Sequence, residues 1–198
     1  MTTTFFLVRH AAHDNVGGFL AGHSPGVRLG SDGQAQAARL AERMRRESFA
    51  AIYASPRERA AETAAAIAQL SHVPVERAEA LDEIDFGDWS GKSFDVLNAD
   101  PAWRRWNELR SLARTPAGET MLDVERRAIG FMEESCRRFP DGALVLVSHA
   151  DVIRAAVGHV LGLAIDFWLR FDIDPGSVTT LIMGDWGARV IALNEVVP

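Results

Sequence analysis

The chain has 198 residues, 47% hydrophobic and 24% charged, with a formal net charge of −6. That length and balance describe one soluble globular domain with a sizeable core, and the acidic charge argues against general nucleic-acid binding, which favours a basic face. No apolar run is long enough to span a bilayer, one cysteine, Cys136, excludes an internal disulfide framework, and Met1-Thr2-Thr3-Thr4 lacks the basic start and apolar stretch of a signal peptide. The expectation is a cytoplasmic protein with neither membrane nor nucleic-acid partners; composition sets no oligomeric state.

Phe5-Phe6-Leu7-Val8 runs directly into Arg9-His10. A continuous apolar run predicts a strand buried on both faces, and its polar end lies where open α/β sheets bind ligands. Gly17-Gly18 and Ala21-Gly22-His23-Ser24-Pro25-Gly26 form a glycine-rich loop able to approach a ligand closely. Ser31 and Gln34 have capping-box spacing and open a helix running to about Glu47, with Ala37, Leu40, Ala41 and Met44 on one face. Ala51–Ala54 predicts a short strand.

In Ser55-Pro56-Arg57-Glu58-Arg59, Ser55 reads as an N-cap, Pro56 as the first helical residue and Glu58 as the capping-box partner. Arg57 and Arg59 then fall at the positive end of the helix dipole, each disfavoured there by roughly 0.3–1 kcal/mol when exposed. Either Glu58 and Glu62 offset them, or arginines and free N–H groups converge on a bound anion. Val75–Arg77 is a short strand. Leu81-Asp82-Glu83-Ile84-Asp85-Phe86-Gly87-Asp88-Trp89 carries four carboxylates, read either as a solvated acidic loop or as one carboxyl kept protonated in an apolar setting.

Residues 91–114 hold Trp103, Trp106, Leu109 and Leu112, the last three spaced by threes, with Arg104, Arg105, Arg110 and Arg114. This predicts a small helical lid insertion rather than a core element. Thr120 and Asp123 have capping-box spacing for a long helix ending near Pro140, with Leu122, Ile129, Met132 and Cys136 on one face. Ala143–Val147 is a second continuous apolar run, ending in Ser148-His149-Ala150-Asp151, and a helix follows to Leu161. Ser177–Met183 and Arg189–Leu193 predict a hairpin turning at Gly184–Gly187. Alternating strands and helices give an α/β fold, a three-layer α/β/α sandwich with a mostly parallel central sheet.

Two histidines at strand ends, arginines in a helix start and a carboxyl among apolar residues are the groups needed to move a phosphoryl group without a metal. Arginine forks match phosphoryl oxygens, a neutral imidazole can attack phosphorus, and a carboxylic acid can protonate the leaving oxygen. In this arrangement the chain resembles the histidine phosphatase superfamily, its phosphoglycerate mutase-like branch (branch 1), from about Phe5 to Leu193. The resemblance rests on Arg9-His10-Ala11; Leu29, Gly33, Gln36 and Ala37; Ser55-Pro56 with Arg59, Ala60 and Thr63; Glu83, Gly87, Trp89 and Gly91; Gly118-Glu119-Thr120; and Ser148-His149-Ala150 with Ile153-Arg154.

The resemblance implies a single phosphoglycerate mutase-like domain over 1–198, with 91–114 as the lid insertion. It implies a metal-independent phosphatase with no cofactor, acting on a small phosphorylated substrate. His10 would be the phosphorylated nucleophile and Glu83 the general acid, then base. Arg9, Arg59 and His149 would hold the phosphoryl group, with Asn15, His23 and Ser24 as further substrate-binding residues. The alternatives are a cofactor-dependent mutase and a non-catalytic phospho-ligand-binding protein on the same fold. A chain this short after the acidic loop favours hydrolysis, and an acid at Glu83 favours catalysis. A metal site on His10, His13, Asp14 and His149 matches no strong zinc spacing. Ala11 stands where the family commonly has glycine. Asp151 is an unusual carboxylate beside a phosphate pocket, able to pair with Arg154 three residues on.

Overall fold

The computed structural model describes residues 1–14 and 16–197. Its elements in order are β1 (Thr2–Arg9), α1 (Ser31–Met44), β2 (Ala51–Ala54), α2 (Glu58–Ser71), β3 (Val75–Arg77), α3 (Phe94–Ala99), α4 (Pro101–Glu108), α5 (Met121–Arg138), β4 (Ala143–Ser148), α6 (Ala150–Leu161), β5 (Val178–Gly184) and β6 (Gly187–Glu195). The sheet order is β3-β2-β4-β1-β5-β6. β3, β2, β4 and β1 are mutually parallel, and the β5–β6 hairpin adds antiparallel at β1. No helix among the described residues is long and apolar enough to cross a membrane.

The unbroken apolar runs of β1 and β4 follow from their central position, because alternate side chains must bury on opposite faces. Phe5, Leu7, Leu144 and Leu146 point to one face, where Ile129 and Met132 of α5 and Ile153 and Val157 of α6 cover them. Phe6, Val8, Val145 and Val147 point to the other, under Leu40 and Met44 of α1 and Ala64 and Ile67 of α2. The result is the three-layer α/β/α sandwich that the alternation predicts.

Several local expectations change. Helix α1 is capped by extended Gly30 rather than by Ser31, and ends at Met44. The chain leaving β1 presses on this helix start: a Cβ on Gly30 would lie 1.8 Å from Asp14 Oδ1, and one on Gly33 1.8 Å from the Ala12 carbonyl. Ser55 does not cap α2; that helix starts at Glu58 with Arg57 as its backbone cap, and the Ser55 hydroxyl is engaged elsewhere. The Thr120–Asp123 capping box does form on α5. It sets the helix phase so that Met121 and Val124 are buried, while Leu122 is exposed.

In the 91–114 segment, Trp103 and Trp106 of α4 are buried. With Trp89, Trp168, Ile84, Phe86, Met121 and Val152 they form a third apolar cluster beside the acidic loop. Leu109 and Leu112 lie beyond the end of α4 and are exposed. Spacing by threes thus holds for the tryptophans as core, and breaks where the helix stops. Trp106→Ala should cost about 3–5 kcal/mol, the range for buried large aromatics, read by urea unfolding. A loss within about 0.5 kcal/mol would mean that the segment is a flap apart from the core.

Candidate active site

Strands β2, β4 and β1 are adjacent and parallel, so their carboxyl ends reach one edge together. The register pairs Arg9 with Ser148, the His10 amide donates to the Ser148 carbonyl at 2.9 Å, and the Ser55 amide donates to the Val147 carbonyl at 2.9 Å. The residues that follow are forced side by side: His10 and His149 have ring centroids 5.1 Å apart. Both are buried, His149 fully.

His10 Nδ1 lies 2.8 Å from the Ala11 carbonyl oxygen. A carbonyl only accepts, so Nδ1 carries the proton and Nε2 keeps its lone pair. Arg59 Nε donates to that Nε2 at 3.2 Å. Burial, then the Arg59 and Arg9 cations, hold the His10 imidazole well below its usual pKa and therefore neutral. Ala11 is enclosed, has no positive φ, and donates its amide to Thr63 Oγ1 at 3.0 Å, so the family glycine is not needed here.

Arg59 enters from the first turn of α2 and is almost fully buried. Its Nη2 donates to the Gly22 carbonyl at 3.0 Å and meets His149 Nδ1 at 3.3 Å. Gly22 adopts φ +48°, and a Cβ there would lie 2.5 Å from Ser90 Oγ, so the glycine loop does approach closely, although its direct partner is the arginine. Arg9 Nη1 donates to the Ile173 carbonyl at 2.6 Å. Among the described residues, Arg9 Nε and Arg59 Nη1 are enclosed donors with no protein partner. Buried donors are rarely left unpaired. Two guanidinium forks near His10, each with a spare N–H, suit the non-bridging oxygens of a phosphoryl group.

Glu83 reaches the same pocket from the acidic loop, with Oε2 3.5 Å from His149 Nδ1 and 4.0 Å from Arg59 Nη2. Burial, then the neighbouring Asp151 carboxylate, push its pKa up to about 7, against the opposing pull of Arg59. The loop is pinned from two sides. His23 Nε2 lies 2.7 Å from the Glu83 carbonyl. Arg127 donates to the Glu83 and Ala80 carbonyls at 3.2 and 2.9 Å and grips Glu119 at 2.9 Å. Here His23 braces the acid. Ser24 makes a turn, its amide donating to the Ala21 carbonyl at 2.9 Å. Asn15 lies outside the described residues. His13 stacks on His10 with ring centroids 6.3 Å apart and meets Phe19 at a tilt, 5.8 Å between centroids.

Asp151 is tied on one oxygen by Arg110 at 2.9 Å and by Arg154 at 3.4 Å. The Arg154 pairing is the one its spacing suggests, while Arg110 comes from the 91–114 segment and could not be assigned by local spacing. Arg57, Asp82 and Gln36, each noted in the sequence without this role, and Arg127, which was not, also support the site. Arg57 clamps Asp82 with two bonds of 2.8 and 2.7 Å, and Gln36 Oε1 accepts the Ala12 amide at 3.0 Å.

A neutral imidazole whose Nε2 accepts from Arg59, the Arg9 and Arg59 guanidinium forks, a second histidine and a carboxyl of raised pKa have the chemistry to handle a phosphoryl group at the carboxyl edge of an α/β sheet. The model of the histidine phosphatase superfamily (branch 1) matches residues 5–196, and the chain belongs to that superfamily and is a phosphoric monoester hydrolase. It is 32% identical to phosphoserine phosphatase 1 of Hydrogenobacter thermophilus over 95% of this chain and 90% of that one. It is 29% identical to glucosyl-3-phosphoglycerate phosphatase of Mycolicibacterium vanbaalenii, over 83% and 85% of the two chains. Among solved structures, Bacillus stearothermophilus YhfR superposes with a TM-score of 0.92 at 28% identity, covering 98% of each chain. The native mycobacterial glucosyl-3-phosphoglycerate phosphatase superposes at 0.88 and 26%, covering 98% of this chain and 100% of that one.

Inorganic phosphate should raise the melting temperature of the wild type, by an amount equivalent to about 2.7 kcal/mol at a hundred times its Kd. Arg59→Lys keeps the charge but loses the fork, and most of that shift should vanish in differential scanning calorimetry. An undiminished shift would remove Arg59 from the phosphate cradle.

Proposed function

We propose that the protein hydrolyses a phosphomonoester through a phosphohistidine on His10, with no metal in the chemical step. The observation that carries this reading is the fixed tautomer of His10: Nδ1–H is spent on the Ala11 carbonyl, leaving the Nε2 lone pair beside the Arg59 guanidinium. The ester's phosphoryl oxygens would take the spare N–H groups of Arg9 and Arg59 and the imidazole of His149. His10 Nε2 attacks phosphorus, and the N–P bond forms as the ester P–O bond breaks. Glu83 gives its proton to the leaving oxygen. The resulting carboxylate then takes a proton from water as that water attacks the phosphohistidine, releasing phosphate and restoring both groups.

The environment of Glu83 supports its double role. A carboxyl with a pKa of about 7 is protonated often enough to act as acid and loses its proton readily enough to act as base. Small phosphomonoesters are the substrate class we favour, as the activities named for the relatives suggest. Phosphoserine is the first compound to assay, because the phosphoserine phosphatase match spans 95% of the chain. We assign residues 91–114 to the wall that selects the leaving group: Arg110 meets Asp151 there, and Asp151 acts electrostatically on Glu83.

His10→Ala should abolish turnover and the acid-labile, base-stable phosphoenzyme trapped from a labelled aryl phosphate, while turnover by the wild type persists in EDTA. Turnover lost in EDTA, or a phosphoenzyme retained in His10→Ala, would sink the mechanism.

Because the first step needs the protonated carboxyl, kcat/KM for an alkyl phosphate should fall as pH rises through about 7. Glu83→Gln should slow that ester by about 10²-fold or more, and an activated aryl ester far less. Equal slowing of both esters would count against Glu83 as the acid.

A further inference from the structure

Behind His149, on the side away from the pocket, runs a buried polar chain that no step of phosphoryl transfer uses directly. His149 Nε2 lies 2.7 Å from Ser55 Oγ, and both residues are almost completely enclosed. Ser55 Oγ donates to Asp82 Oδ1 at 3.2 Å. The same Oδ1 accepts the amide of Glu83 at 2.8 Å and Arg57 Nε at 2.8 Å, while Oδ2 accepts Arg57 Nη2 at 2.7 Å. His23 Nε2 stands 3.5 Å from Oδ2. Asp82 is therefore a buried hub tied to both the acid and the second histidine.

The donor count fixes the direction of this chain. Ser55 has one hydroxyl proton, and a carboxylate only accepts, so that proton points to Asp82. Ser55 Oγ must then accept from His149, which places the imidazole proton on Nε2. The opposite face agrees independently: Arg59 Nη2, which only donates, faces Nδ1 at 3.3 Å. The lone pair of Nδ1 is thus turned toward the pocket.

We propose, building on the phosphatase reading, that Asp82 acts through Ser55 as the positioning residue of His149, holding its Nε2–H and presenting Nδ1 to the phosphoryl group. A neutral Nδ1 repels an anionic oxygen, so His149 must be protonated in the complex. That proton arrives on the monoanion of the ester: its O–H bond breaks as the Nδ1–H bond forms, and Nε2 keeps its own proton. The imidazolium is then held between a phosphoryl oxygen and the Ser55–Asp82 pair. Without ligand, burial and the charges of Arg59, Arg9 and Arg127 keep His149 neutral. Glu83 is the carboxyl facing Nδ1, and Asp82 supplies negative charge from behind.

The test is long-range 15N–1H NMR of the His149 ring with and without inorganic phosphate, beside phosphate inhibition of 4-nitrophenyl phosphate hydrolysis. The wild type should show the Nε2–H tautomer alone and gain Nδ1–H on adding phosphate. Ser55→Ala and Asp82→Asn should show mixed tautomers, with the inhibition constant for phosphate raised about tenfold, as for loss of a charge-linked hydrogen bond. The proposal fails if the unliganded wild type shows Nδ1–H, an outcome that needs no variant to fold. It fails equally if both variants keep the wild-type tautomer and affinity. Failure of the phosphatase reading shows elsewhere, as a wild type that binds phosphate with the expected ring signature but hydrolyses no ester.

Discussion

The parallel pairing of β1 with β4 is the constraint on which the site depends. Its register sets Arg9 opposite Ser148, and one residue further on two imidazoles must share a small volume, 5.1 Å between centroids. A slip of one residue would turn each apolar side chain to the wrong face of the sheet. The site geometry therefore rests on burial of Phe5, Leu7, Phe6 and Val8 against two separate helix layers. Core packing and catalytic spacing are enforced by the same register.

That arrangement creates an electrostatic problem. Arg59 is buried, Arg9 is partly so, and desolvation lowers the pKa of both. Both histidines respond by staying neutral. The carboxylates that offset the arginines are distributed around the pocket: Glu83 from the loop, Asp82 behind Ser55, and Asp151 fastened to Arg110 and Arg154. On the proposed reading, a bound phosphoryl group would meet the spare N–H groups of Arg9 and Arg59. On this account Asp151 is no obstacle to an anion, because two guanidinium groups stand on its carboxylate.

Legibility in the sequence followed physical range. The β1 and β4 runs could be read because double burial imposes a continuous apolar pattern. His10, Arg59, Glu83 and His149 could be placed because motifs carried them in order, and their convergence needed only the parallel topology. Ser31 and Ser55 misled because a serine before a helix resembles a cap, yet α1 takes Gly30 as its cap, where a side chain would clash with Asp14, and the Ser55 hydroxyl is drawn to Asp82 and His149. The tryptophans of α4 share a core with Trp89 and Trp168, a packing that their spacing alone could not separate from a substrate-facing role. Asp82, Arg127 and the Arg110–Asp151 pair were not legible at all, since each depends on partners that only tertiary structure supplies.

Asp82 and Glu83 show how far the division of labour goes between neighbouring carboxyls. Their side chains sit on one short loop but face different surroundings. Asp82 turns back to the Arg57 fork, the Ser55 hydroxyl and the amide of Glu83 itself, a donor-rich niche that suits an accepting carboxylate. Glu83 turns forward into the pocket, where burial and Asp151 raise its pKa to about 7. The order Asp-Glu thus ties the two together: the first carboxyl holds the backbone amide of the second, and on the proposed mechanism the second would move the proton.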